Sequence, residues 1–296
     1  MVKIVERYFS EGSAIPPGLY LVSTPIGNAR DITLRALDTL AGADALAAED
    51  TRNARKLLGL HGLRLGGRLL YSYSDHNAEV RVPQLIALLR EGKSVALLSD
   101  AGTPMISDPG LRLVRASVSE GIPVIPVPGA SALLSALCLS ALPTDRFIFA
   151  GFAPSASGAR KNFYSGLADA RETIVIFESP KRLRASIEDM IQSFGGERQA
   201  AACREITKKF EEARRGTLAE IAASFSATEP RGEFTIVIGG AAESKFSDRE
   251  IRECIAAAME EMSVRDAAAF ASSSIGVSKS VAYRIALELK REQSRN

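Results

Sequence analysis

Three loops carry the residue types from which ligand sites are built. They are Ser23-Thr24-Pro25-Ile26-Gly27-Asn28, the segment Ser99 to Gly110 (S-D-A-G-T-P-M-I-S-D-P-G), and Pro128-Gly129-Ala130-Ser131-Ala132. Glycine lets a backbone approach a ligand closely. Proline stiffens the loop and removes a backbone donor. Ordinary turns between strands and helices favour the same residues. Three such loops, one of them twelve residues long, all follow predicted strands of a single sheet, and this favours a site over three unrelated turns.

Several chemistries lack their residues. No G-x-G-x-x-G follows the first strand, and Gly92-Lys93 has Ala87 where a phosphate-binding loop needs its first glycine. H-E-x-x-H and G-x-S-x-G are absent, and His61 and His76 are the only histidines. Cys138, Cys203 and Cys254 form no C-x-x-C pair, so they are read as buried thiols of a reducing cytoplasm, and no metal site is expected. Net charge is +2, so any nucleic-acid contact must rest on local clusters: Arg52, Arg55 and Lys56; Lys181, Arg182 and Arg184; Lys208, Lys209, Arg214 and Arg215. No apolar run spans a membrane, and Met1 to Gly18 has no apolar core and is not read as a signal peptide.

The elements that position the loops alternate. Strands are expected at Leu19–Ser23, Leu46–Ala48, Leu69–Tyr73, Val95–Leu98 and Val124–Val127. Helices are expected at Leu34–Leu40, Val82–Arg90, Leu111–Ser119 and Ser131–Leu139. This alternation predicts a mostly parallel sheet, whose ligands sit beyond the carboxyl ends of the strands. Pro143 to Pro154 reads as a boundary before a second α/β pattern: strands at Ile174–Phe177, Ala200–Cys203, Glu211–Arg215 and Phe234–Ile238, helices at Leu183–Phe194 and Leu218–Phe225. Gly239 to Ser247 reads as a linker. Three short helices follow at Glu250–Met262, Val264–Ser272 and Lys279–Lys290, the last capped by Ser278, with a helix-turn-helix-like turn at Ile275-Gly276-Val277. The expected division is a tail (1–17), an N-terminal α/β domain (18–142), a second α/β domain (143–240) and a C-terminal helical module (241–296).

G-L-Y-L-V-S-T-P-I-G-N-A-R-D-I-T (Gly18 to Thr33) resembles the opening of the tetrapyrrole methylase superfamily, and within it the group of small-subunit ribosomal RNA methyltransferases. A-E-D-T-R (Ala48 to Arg52), L-L-S-D-A-G-T-P-M-I-S-D-P-G (Leu97 to Gly110), P-G-A-S-A, F-E-S-P-K-R-L (Phe177 to Leu183), C-R-E-I-T-K-K-F-E-E (Cys203 to Glu212) and R-G-E-F-T-I-V-I (Arg231 to Ile238) continue it in order. The resemblance implies two α/β domains with a cleft between them, S-adenosyl-L-methionine as cofactor, and a cytoplasmic homodimer. It implies 2′-O-methylation of a cytidine in the decoding region of 16S rRNA in the small ribosomal subunit. It puts the cofactor on Pro25, Ile26, Gly27, Asp100, Gly102, Thr103, Ile106, Ala130 and Ser131, and from the second domain on Phe177, Glu178, Cys203, Arg204, Glu205, Gly232, Glu233 and Phe234. Lys181 and Ser74 stand where the group often has histidine, which weakens any mechanism that needs one there.

A ribose hydroxyl is a poor nucleophile and gains from a base. Candidates are Glu49, Asp50, Asp75, His76 and Glu178. Glu49 and Asp50 have a second reading as caps of the helix bearing Arg52 and Arg55, and Asp75-His76 as a surface turn. Arg30, Arg52, Lys181, Arg182 and Arg204 are candidate RNA contacts, although Asp31, Asp50 and Glu205 offer three of them a salt-bridge partner instead. Tyr71 and Tyr73 suit stacking on a base, or simply alternate along a strand. Two other readings stand beside this one: a tetrapyrrole methyltransferase, and a non-catalytic regulator that works through the C-terminal module. Residues 241–296 hold nine Lys plus Arg and nine Asp plus Glu, which argues against a DNA reader.

Overall fold

The computed structural model describes residues 14–227, 229–241, 248–275, 277 and 279–293. Met1 to Ser13, residues 242–247 of the expected linker, Gly276 and the expected cap Ser278 lie outside them.

The first sheet is built as the alternation predicts. Its strands are β1 (Gly18–Val22), β2 (Ala45–Ala48), β3 (Leu69–Ser72), β4 (Ser94–Leu98) and β5 (Val124–Val127). They run parallel in the order β3-β2-β4-β1-β5. The connecting helices are α1 (Leu34–Gly42), α2 (Thr51–Leu60), α3 (Ala78–Arg90) and α4 (Leu111–Ser119), with α5 (Ala132–Ser140) following β5. Central β4 is buried at every position because both faces are covered. Val95 and Leu97 point into one core with Leu19, Leu85 and Leu113; Ala96 and Leu98 point into the other with Val22, Leu40 and Leu46.

Side-chain oxygens fix the helix starts. Thr33 accepts from Ala36 N–H (3.1 Å) at α1, and Asp50 accepts from Arg52 N–H (2.8 Å) at α2. Each cap stabilises by about 1 kcal/mol. Arg68 satisfies the far end of α1 by donating to the carbonyls of Leu40 (2.7 Å), Ala41 (3.0 Å) and Ala43 (2.9 Å).

The second sheet has the order β6-β7-β10-β8-β9: β6 (Phe147–Phe152), β7 (Thr173–Glu178), β8 (Gln199–Arg204), β9 (Glu212–Thr217) and β10 (Phe234–Ile238). Only β6 and β7 pair parallel; the other pairings are antiparallel. Half of the stretch read as a boundary is thus strand β6. Its pattern hid it: as an edge strand it is half-exposed, and its register shifts between Phe149 and Phe152. One helix of this domain also went unread, α6 (Ser157–Leu167); α7 (Leu183–Phe194) and α8 (Leu218–Ser224) stand where expected. These three helices cover one face through Tyr164, Leu183, Ile187, Met190, Leu218 and Phe225. Arg160 of α6 and Asp189 of α7 form a buried ion pair beneath them (2.6 Å), with Arg160 also donating to Ser155 O (3.0 Å).

The C-terminal helices are α9 (Asp248–Glu261), α10 (Val264–Ile275) and α11 (Lys279–Gln293), packed on Ile251, Ile255, Ala268, Ala271, Ala282 and Ile285. Arg252 of α9 reaches Glu288 (3.2 Å) and Glu292 (2.8 Å) of α11. The chain divides into two compact units: residues up to 132 together with 206–209, and the remainder. Among the described residues, no helix is long and apolar enough to cross a membrane.

Candidate active site

The three glycine- and proline-rich loops meet at the carboxyl edge of the first sheet. Thr24 and Gly102 exchange backbone hydrogen bonds (2.8 and 3.0 Å), an isolated antiparallel bridge between the loops after β1 and β4. The Thr24 hydroxyl donates to Ser99 O (3.1 Å), the Ser99 hydroxyl to Gly102 O (2.6 Å), and the Ser23 hydroxyl to Thr103 Oγ1 (3.1 Å). Gly102 has φ +78°, and a Cβ there would lie 3.5 Å from Ile26 and 3.9 Å from the Ala130 carbonyl. One glycine therefore touches all three loops in a conformation that costs other residues about 1–2 kcal/mol. Gly129 is held as closely, since a Cβ would stand 2.8 Å from that of Ser23.

Carboxylates line the same edge. Asp100 accepts from Asp50 N–H (3.0 Å) and Asn53 Nδ2 (2.9 Å), which ties the long loop to the start of α2. Desolvation, then the charges of Asp100, Asp75 and Asp50, raises the proton affinity of Glu49. Asp108 moves further: burial, then Glu49 and Asp100, pushes its carboxyl up to about 6. The long loop holds Asp108 between unusual backbone, with Met105 (φ 73°) and Ser107 (φ 64°) left-handed on one side and Gly110 folded against Met105 and Leu97 on the other.

The other expected residues divide. Asp50 caps α2 and binds Arg52 at 2.7 Å, and that guanidinium holds its carboxyl down at about 2, too acidic for a base at neutral pH. Asp75 and His76 are exposed in the turn after β3, which Asn77 fixes by accepting from Ser74 N–H (2.9 Å) and donating to Ser72 O (3.2 Å). Tyr73 is fully buried and cannot stack on a base; Tyr71 lies half-buried under the Arg81 guanidinium at 5.8 Å. Pro25 and Ser131 are partly buried in their loops; Ile106 and Arg30 are exposed.

In the second unit, β-register gathers the predicted strand ends. Phe234 of β10 pairs with Glu178 of β7 on one side and Arg204 of β8 on the other, which brings Phe177, Cys203, Glu205, Gly232 and Glu233 to the same sheet end. Most of these groups hold the fold. The Glu178 side chain is fully buried, accepting from Arg182 (2.7 Å) and Ser179 N–H (2.8 Å). Arg182 also donates to Ala153 O (3.1 Å). Arg204 donates to Arg231 O (2.7 Å) and lies 3.8 Å from Glu212. Burial pushes the Cys203 thiol up to about 11, which makes it inert. Lys181 is exposed.

The sequence of this framework matches the family model described as Tetrapyrrole (Corrin/Porphyrin) Methylases over residues 18–222. The chain belongs to that family. Residues 247–290 match a second model, described as RsmI C-terminal HTH domain. Proteins named ribosomal RNA small subunit methyltransferase I are similar along nearly the whole chain. That of Mesorhizobium japonicum is 47% identical, covering 93% of this chain and 93% of its own. That of Mycobacterium tuberculosis is 42% identical (93% and 96%), and that of Haemophilus influenzae 38% (91% and 96%). Among solved structures, uroporphyrin-III-C-methyltransferase from Thermus thermophilus aligns with TM-score 0.53 at 24% identity, over 75% of this chain and 94% of that one. The methyltransferase CobJ aligns with TM-score 0.57 at 16% identity, over 79% and 98%. These two likenesses are of fold alone.

As a tetrapyrrole methylase, the chain carries its two α/β sheets and the helical C-terminal domain of the ribosomal RNA small subunit methyltransferase I group. Residue typing alone passed over Asp108, which lay inside a quoted motif as one more turn-forming aspartate. The signal available was its place two residues before the last glycine of a long loop, between Ser107 and Pro109.

Proposed function

We propose that this chain transfers a methyl group from S-adenosyl-L-methionine to the ribose 2′-oxygen of a cytidine in the decoding region of 16S rRNA. The names of its relatives support a small-subunit RNA substrate. The observation that carries the site is the meeting of three loops at Gly102 beside a row of carboxylates. Gly102 and Gly129 let the three loops close on one another, and the negative edge of Glu49, Asp75, Asp100 and Asp108 suits a cofactor with a sulfonium charge. The cofactor supplies an electrophilic methyl.

The chain's residues do the rest. The loop residues Pro25, Ile26, Gly27, Asp100, Gly102, Thr103, Ile106, Ala130 and Ser131 hold and orient the cofactor, Ile26 excluding water. The family resemblance adds Phe177, Glu178, Cys203, Arg204, Glu205, Gly232, Glu233 and Phe234 as the second domain's cofactor residues. Asp108, ionised above about pH 6, accepts the hydroxyl proton, and burial, with Glu49 and Asp100 beside it, keeps its proton affinity near neutrality. The working division is 18–142, 143–240 and 241–296, and the enzyme acts as a homodimer in the cytoplasm.

The test is tritiated methyl transfer to small subunits from a strain lacking this protein, followed by nucleoside analysis. Label in 2′-O-methylcytidine supports the assignment. Cofactor binding without label on the subunit removes the RNA substrate, and no cofactor binding removes the methyl-transfer reading.

A further inference from the structure

Residues 241–296 hold equal numbers of cations and carboxylates, but the helices do not share them equally. Helix α9 carries five carboxylates, Asp248, Glu250, Glu253, Glu260 and Glu261, against Arg249 and Arg252. Helix α11 carries four cations, Lys279, Arg284, Lys290 and Arg291, against Glu288 and Glu292. Arg252 of α9 binds both of these glutamates, at 3.2 and 2.8 Å. The carboxylates of α11 are therefore neutralised where that helix meets α9.

The rest of α11 sorts by helical position. Ala282, Ile285 and Ala286 are buried in the module's core, with Leu289 packed beside them. At 3.6 residues per turn, the opposite side carries Tyr283, Arg284, Leu287 and Arg291. Tyr283 is 44% exposed, Arg284 and Arg291 are exposed, and Leu287 is half-buried. Among the described residues, neither arginine forms an ion pair. Arg291 lies in the last turn, where a cation also suits the carbonyl end of the helix; Arg284 lies mid-helix and has no such role. The two positions stand about 10 Å apart along the axis, on one face.

This pattern complements a phosphate backbone. A guanidinium fork matches phosphate oxygens, and a tyrosine hydroxyl donates to them. The major groove of an RNA helix is too deep and narrow for side chains to read, so a helix of this kind rides on the backbone instead. Cations elsewhere that were expected to contact RNA are engaged: Asp50 holds Arg52, Glu178 holds Arg182, and Arg204 donates to Arg231 O.

We propose that Tyr283, Arg284 and Arg291 form a docking strip for the phosphate backbone of small-subunit ribosomal RNA, gripping it without reading its sequence. This rests on the assignment of that RNA as substrate.

The experiment uses the full-length protein, with unmethylated small ribosomal subunits and with protein-free 16S rRNA. Affinity is measured from about 50 to 200 mM salt, a range over which phosphate contacts register. The variants are R284Q/R291Q, R284K/R291K, Y283A, and R284Q/R291Q combined with E260Q/E261Q, which restores the wild-type net charge through two exposed glutamates of α9. R284Q/R291Q is expected to weaken binding to both RNAs and to lower the slope of log affinity against log salt by about 0.7–0.9 per arginine. R284K/R291K keeps that slope, and Y283A weakens binding without changing it. The fourfold variant stays as weak as R284Q/R291Q. In methyl transfer KM for the subunit rises while kcat and the melting point stay at wild-type values, which separates docking from damage to the fold. Wild-type affinity and slope in R284Q/R291Q would overturn the strip. Weakened binding to subunits but not to protein-free RNA would give it to a ribosomal protein instead. Recovery in the fourfold variant would show that net charge governs binding rather than these residues. If wild-type protein neither binds nor methylates the subunit, the substrate assignment falls and this proposal with it.

Discussion

Thr24 and Gly102 bind each other through two backbone hydrogen bonds, at 2.8 and 3.0 Å, although 78 residues separate them. This bridge closes the loop after β1 onto the loop after β4. Gly102→Ala keeps the bonds but forces a Cβ onto a residue at φ +78°. The expected result is a loss of about 1–2 kcal/mol of stability and a larger loss of cofactor affinity, because the loop must relax the left-handed backbone at the point where the three loops meet. Thermal melting and calorimetric titration check both. Unchanged cofactor affinity would remove Gly102 from the site.

Asp108 gives a pH signature. Its carboxyl titrates near 6 in the folded protein against 3.8 ordinarily, so the methyl-transfer rate should rise through pH 6 and level off above it. Asp108→Asn should abolish that limb and slow the reaction about a hundred- to ten-thousand-fold. The stability effect has the opposite sign. A carboxyl raised on folding favours the folded state most below pH 3.8, and that advantage is lost between 3.8 and about 6. Above pH 7 the ionised group opposes folding, by about 1 kcal/mol once its partial exposure is allowed for. Asp108→Asn should therefore melt higher than wild type at pH 8 and equally at pH 4. A lower melting point at pH 8 would contradict this account.

Glu178 separates structure from catalysis. Its Oε1 accepts from Arg182 and Ser179, and its Oε2 is buried without a hydrogen-bond partner. Glu178→Gln should lower stability by about 1–3 kcal/mol, read by urea unfolding, and leave the pH–rate profile unshifted. Disappearance of the acid limb in this variant would return Glu178 to the role of base.

The Arg160–Asp189 pair makes a third kind of test. Asp189→Ala leaves a buried guanidinium without its carboxylate and should cost about 3–5 kcal/mol. Replacing both, as R160M/D189L, should recover most of that loss. A double variant as unstable as the single would show that shape, not charge, governs this joint between α6 and α7.

Much of the first sheet was legible because burial on both faces writes a short apolar run, as in Val95-Ala96-Leu97-Leu98, and because the loops after such runs have a distinctive composition. Phe147 to Phe152 obeys no such rule. An edge strand with a register shift keeps half its side chains in solvent, so its pattern looked like a boundary. The candidate site was legible as loops but not as chemistry. Asp50 and Asp108 are the same residue type, yet Arg52 makes one a strong acid while burial and neighbouring carboxylates make the other a weak one. Tyr73 likewise matched a stacking aromatic in sequence and proved to be core. Type is written in the sequence; proton affinity and exposure arise from contacts between distant segments.

The strand order also sets a schedule for synthesis. Strand β1 leaves the ribosome first among the strands, but its partners are β4, beginning at Ser94, and β5, beginning at Val124. The β2–β3 pair can form while β1 still has both edges open. At about 5–20 residues per second, the nascent chain carries an unsatisfied apolar strand for several seconds before its neighbours appear. Pairings this distant also fold slowly. A ribosome that slows before residue 98 lengthens that window, so the yield of this protein will depend on elongation rate and on chaperones that shield a single strand.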